Sequence, residues 1–144
     1  MSRIRSIPPQ KGGNIKKASA SDAPMNFSFK FFDESDEELC PPNFKEGYTR
    51  ALMLRLRVLS VWTGEKFRGK IENNIRNHII DWNDTARACF SSVNMEHRDT
   101  PAYQFAVTEY AHGRVHGFFI GDTFYVIWLD CNHALYPGEN ENNA

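Results

Sequence analysis

The clearest pattern of apolar and polar positions lies in the last third of the chain. Residues 113–120, GRVHGFFI, and 123–130, TFYVIWLD, are apolar-rich runs separated only by Gly121 and Asp122. Such a pair predicts a β-hairpin, because glycine in the first loop position supplies the positive φ that a type II′ turn requires. With Ile120 opposite Thr123, an unbroken register pairs Phe119 with Phe124, Phe118 with Tyr125 and Gly117 with Val126. It continues by pairing His116 with Ile127, Val115 with Trp128 and Arg114 with Leu129. Side chains alternate across a strand, so Val115, Phe119, Phe124, Val126 and Trp128 are expected on one apolar face. Arg114, His116, Phe118, Ile120, Thr123, Tyr125, Ile127 and Leu129 then share the other.

Upstream, YQFAVTEY over 103–110 is a third strand candidate. Phe27, Phe29 and Phe31 alternate with Ser28, Lys30 and Phe32 as a fourth. Between them, Tyr48, Leu52, Leu56 and Leu59 recur at helical spacing, with Ala51 and Trp62 widening the stripe. Asn43 and Glu46, after Pro41-Pro42, predict a capped start near Phe44. Thr63-Gly64 ends the helix, and a further helical turn fits Glu65 to Arg68. Residues 71–97 carry no clean period, although Asp84 before TARACF would cap a short helix. The pattern predicts an α+β fold: an antiparallel sheet of about four strands packed on one main helix, with a disordered N-terminal tail. Residues 1–25 read as a flexible basic tail, 26–138 as one domain and 139–144 as a frayed end.

Composition supports a folded domain. The chain has 144 residues, 41% of them hydrophobic and 13% aromatic, enough apolar surface for a core. The net charge of −1 gives no global basic signature of a nucleic-acid binder. Charge is nevertheless segregated: Asp33, Glu34, Asp36, Glu37 and Glu38 form an acidic knot, and residues 45–70 hold an excess of Lys and Arg. Arg50 and Arg57, seven apart, share one helix face away from the apolar stripe. No long apolar run and no apolar leader are present, so a cytoplasmic protein without a membrane segment is expected. Cys40, Cys89 and Cys131 lack paired spacing, which suggests free thiols in a reducing compartment. The five histidines form no metal-binding motif, and phosphate-loop and dinucleotide fingerprints are absent, so neither a metal nor a cofactor is expected.

Candidate chemistry concentrates on the second hairpin face and the residues that follow it. A face carrying Arg114, His116, Phe118 and Tyr125 is unlike an ordinary solvent face of Lys, Glu, Thr and Ser. Asp130 to Tyr136 then place His133 and Tyr136 where a rigid strand meets solvent. Metal-independent RNA cleavage needs a base for the ribose 2′-hydroxyl, a cation for the phosphorane and an acid for the leaving oxygen. Arg114, His116, His133 and Tyr136 supply those types, with Phe118, Tyr125, Arg50 and Arg57 as the expected binding surface. The partner implied is RNA. The alternative is a non-enzymatic module, such as an antitoxin, inhibitor or phage-defence adaptor, that binds a protein through the aromatic face.

The segment HGRVHGFFIGDTFYVIWLDCNHALY, with FSFKFFD and HIIDW before it, resembles a family of small, uncharacterised bacterial proteins over residues 27–137. At fold level, the order helix, basic strand, hairpin and terminal His and Tyr is similar to RelE/ParE-type toxins. That resemblance implies a bacterial toxin or defence-system component cleaving messenger RNA, with Arg114 as the strand arginine and His133 and Tyr136 as the C-terminal pair.

Overall fold

The structure, a computed structural model, describes residues 22–138. Most of the expected basic tail (1–21) and the expected C-terminal fray lie outside the described residues. Five strands form one sheet: β1 (Asn26–Ser28), β2 (His78–Ile79), β3 (Ala102–Ala106), β4 (Arg114–Ile120) and β5 (Thr123–Asp130). Their order is β1-β5-β4-β3-β2. The helices are α1 (Tyr48–Leu59), α2 (Gly64–Gly69) and a single turn, α3 (Met95–Arg98).

The α+β class holds, but the sheet is mixed and has five strands. β1 runs parallel to β5, pairing Asn26 with Thr123 and Ser28 with Tyr125. It stops after three residues, because the chain turns at Phe29, whose carbonyl accepts the Phe32 amide at 3.1 Å. Order also begins earlier than expected: Met25 is buried, and its amide donates to the Trp62 carbonyl at 2.8 Å. Helix α1 starts at Tyr48, after Gly47 in the left-handed region with φ of 87°. No side chain caps it, so the expected Asn43 and Glu46 cap is absent. Thr63 does cap α2, its hydroxyl accepting the Lys66 amide at 3.0 Å. The aromatic Phe67 that α2 carries is buried among Phe105, Phe119 and Phe124. Asp84 starts no helix; it ends a 3-10 turn (Trp82–Asp84) that Asp81 caps.

The hairpin turn is as the sequence predicts, with Gly121 at φ of 61°. The register holds from Ile120–Thr123 to Gly117–Val126, then slips by one residue, so that His116 faces Trp128, Val115 faces Leu129 and Arg114 faces Asp130. Ile127 is the extra residue of a β-bulge. Gly117 allows it: a Cβ there would sit 2.1 Å from the Tyr125 carbonyl oxygen and 2.6 Å from the Phe124 ring. The freed Ile127 carbonyl accepts the Asp33 amide at 3.0 Å.

The bulge corrects the expected faces. Beyond it, Leu129 takes the α2 side, while Trp128 and Asp130 join Arg114, His116 and Phe118 on the opposite side. The chain itself covers that opposite side. Phe31 packs on Tyr125 at 5.1 Å and on Phe118 at 5.9 Å between ring centroids, and Phe90 meets Trp128 at 5.0 Å. Asp33 Oδ2 accepts the Trp128 indole N–H at 3.1 Å. Arg87 closes the cover by donating to both Asp36 oxygens, at 3.0 and 3.1 Å, and to Glu38 Oε1 at 2.8 Å. The acidic knot is therefore a clamp that ties residues 33–38 to the segment around Arg87.

Candidate functional site

Three irregular segments meet at the end of the sheet where β3 finishes and β4 begins. After β3, Thr108 closes a tight turn: its hydroxyl donates to the Ala111 carbonyl at 2.7 Å and accepts the Ala111 amide at 3.0 Å. His112 and Gly113, both with φ of 68°, then swing the chain into β4. After β5, the Asp130 carbonyl accepts the His133 amide at 3.1 Å, and His133 adopts φ of 55°. These two loops touch at Gly113, where a Cβ would lie 2.0 Å from the Asp130 carbonyl oxygen. The third segment carries Arg76, at φ of 55°, next to Ile75, whose carbonyl accepts the Ala106 amide at 2.7 Å. Arg55 of α1 fastens two of the segments, donating to the Val107 and Asn74 carbonyls at 3.0 Å each.

The result is an open groove of about 780 Å³ lined by Lys45, Arg76, Arg114, His112 and His133, with Glu109 and Tyr110 on its wall. Among the described residues, the only non-glycine positions at positive φ are Arg76, His112 and His133, and all three line it. Each such position costs of order 1–3 kcal/mol unless its surroundings over-determine it, and such outliers cluster where function demands them. Three full positive charges face a single carboxylate, with two imidazoles beside them. Tyr48 supports the groove from α1, its ring edge-on to His112 at 5.6 Å between centroids.

Beneath the groove lies a buried polar pair. His116 and Asp130 are fully buried, with Nε2 and Oδ2 3.8 Å apart. Burial pushes the Asp130 carboxyl up to about 6, against the pull of the Ala134 and Leu135 amides and of Arg114. Burial also holds His116 well below its ordinary value, helped by His133, Arg114 and His78. The imidazole is therefore neutral at physiological pH. Among the described residues neither of its nitrogens has a hydrogen-bond partner. Further along the sheet Gln104 Nε2 lies 3.0 Å from His78 Nε2.

The residues expected from the sequence are thus dispersed. Arg114 and His133 line the groove, and His116 lies below it. Tyr136 is buried, with its hydroxyl accepting the Asp81 amide at 3.1 Å. Phe118 is 1% exposed under Phe31 and Phe90, and Tyr125 is half-buried beside it. Arg50 and Arg57 are exposed on α1 and do not line the groove. Sequence reasoning missed Lys45, Arg76, Tyr110 and His112. Only His112, next to a glycine between two strands, carried a signal of a strained turn.

Among the described residues no group of three or more His, Cys, Asp and Glu is placed to hold a metal ion, and no helix is long and apolar enough to cross a membrane. Compared with known families, curated proteins and solved structures, the chain matches none.

Proposed function

We propose that the groove binds the phosphate backbone of an unpaired RNA strand and cleaves it without a metal ion. The convergence of Arg76, His112 and His133, all in left-handed backbone, with Arg114 and Lys45 on one groove carries this reading. Several cations on a concave surface favour an anion, and guanidinium groups fit a phosphate with paired hydrogen bonds. A volume of about 780 Å³ suits a nucleotide-sized ligand. Tyr110, 88% exposed on the wall, offers a ring on which an unpaired base can stack.

The two imidazoles supply the chemistry, because imidazole accepts or donates a proton near neutral pH. One takes the proton of the 2′-hydroxyl, and the 2′-oxygen bonds to phosphorus. The bond to the 5′-oxygen breaks, and the other imidazole protonates that oxygen. Arg114 and Arg76 stabilise the charge on the phosphorane. The products are a 2′,3′-cyclic phosphate and a 5′-hydroxyl. This is the activity implied by the RelE/ParE-type resemblance, and RNA loss with growth arrest on induction in bacteria would match a toxin or defence component. Of the residues that resemblance implies, Arg114 and His133 carry the reaction here; Tyr136 serves the fold.

An end-labelled RNA oligonucleotide incubated with the protein in chelator tests the reading. Cleavage to cyclic-phosphate ends is expected, with the matching DNA left intact. His112→Ala and His133→Ala should each slow cleavage by roughly 10²–10⁴-fold. Intact RNA at stoichiometric protein, or cleavage unchanged in both variants, refutes it.

A further inference from the structure

We infer that Asp130 is the positioning residue that holds His133 in the groove wall, an inference that rests on the groove being the phosphate-binding site. Asp130 ends β5, is fully buried and pairs across the sheet with Arg114. It holds the following loop at three points. Its carbonyl accepts the His133 amide at 3.1 Å, Oδ1 accepts the Ala134 amide at 2.7 Å and Oδ2 accepts the Leu135 amide at 2.9 Å. The two side-chain bonds follow His133 directly, so the carboxylate fixes where the chain goes after a residue at φ of 55°. Few non-glycine residues occupy that region, and the neighbouring bonds hold His133 there. The far end is pinned as well: Leu135 is fully buried and its carbonyl accepts the Ala86 amide at 2.8 Å.

The Asp130 side chain has no place in the groove lining, so its role is indirect. Oδ1 and Oδ2 both face backbone donors, which is why a carboxylate suits the position better than an amide. An asparagine would turn its NH2 group toward one of two N–H groups and lose that bond. The loop then keeps one of its two side-chain anchors, and His133 is released to ordinary φ.

NMR of the histidine side chains during titration with inorganic phosphate tests this on the full chain. In the parent protein the His112 and His133 ring signals should both move. In Asp130→Asn, His133 should shift toward its random-coil position and lose most of its phosphate response. His112, held by the separate Thr108 turn, should keep its response. The Trp128 indole N–H, bonded to Asp33 within the cover, should stay in place and report an intact fold. A His133 signal and phosphate response unchanged in Asp130→Asn overturns the inference. Should that variant not fold, hydrogen exchange in the parent decides: Ala134 and Leu135 amides should be protected well above the exposed Asn132 amide, and equal exchange refutes the anchor. If phosphate moves neither imidazole in the parent protein, the groove reading fails, whereas the His133 ring position and the two amides still report on Asp130.

Discussion

The buried pair below the groove makes stability depend on pH in a way that two single substitutions separate. Asp130 titrates near 6 in the folded chain and near 3.8 when unfolded. Between those values the folded state holds a proton that the unfolded state lacks, so this group stabilises the fold increasingly as pH falls from about 6 toward 3.8. The full shift is worth roughly 3 kcal/mol. His116 behaves oppositely. Its folded pKa lies well below 6.5, so below that pH the unfolded chain gains a proton that the folded chain refuses, and stability falls with pH. A fully expressed slope is on the order of 1 kcal/mol per pH unit, and in the parent protein the two oppose each other over the range they share. Arg114, His133 and His78 face this pair, and Glu38 acts on Asp130 from the cover. Urea unfolding at about pH 5.5 and about pH 4.5, read against the parent protein, exposes each slope. His116→Gln should gain stability on acidification relative to the parent, and Asp130→Asn should lose it, each by on the order of 1 kcal/mol. Two variants that track the parent protein at both pH values would refute the claim that these groups are buried in opposite protonation senses.

Other consequences follow from close contacts. Gly117→Ala should cost at least about 2 kcal/mol, because its Cβ would meet the Tyr125 carbonyl and the Phe124 ring, whereas Gly121→Ala, with open space around it, should cost only about 1 kcal/mol for its positive φ; thermal unfolding compares them. Gly113→Ala should push the two groove loops apart and weaken phosphate binding as well as stability, which calorimetric titration alongside unfolding would show. Trp128→Phe should destabilise by about 2–3 kcal/mol in urea, since it strips the indole donor from the buried Asp33 carboxylate. Arg76→Ala should weaken phosphate binding several-fold, and the paired Arg50→Ala and Arg57→Ala substitutions should leave it unchanged.

The hairpin was legible in the sequence because a glycine turn and a period of two are local signals, and so was the apolar stripe of α1. The bulge was not. It depends on β5 arcing over Gly117, a contact that no alternation pattern encodes, and it moves Trp128 to the other face. The cover was equally hidden: residues 29–40 and 82–100 have little regular structure, and their hold on the sheet comes from Phe31, Phe90, Asp33 and Arg87 acting at long range. For that reason the aromatic face read from the strands is mostly interior. Arg114 and His133 were visible as polar residues at the edges of strands. Arg76 and Lys45 reach the same groove from segments without a period, where only the tertiary fold brings cations together.

The central claim is that Arg76, Arg114, His112 and His133 converge on one phosphate. A titration with a ribonucleoside 3′-phosphate, followed by histidine side-chain NMR, tests it most directly. His97, packed against Phe118 and Phe31 on the covered face, is the internal control. The His112 and His133 signals should shift together along one saturating curve and lose that response in Arg76→Ala/Arg114→Ala, while His97 stays still. Shifts of all three histidines in proportion to ionic strength, or no saturation at His112 and His133, would contradict it.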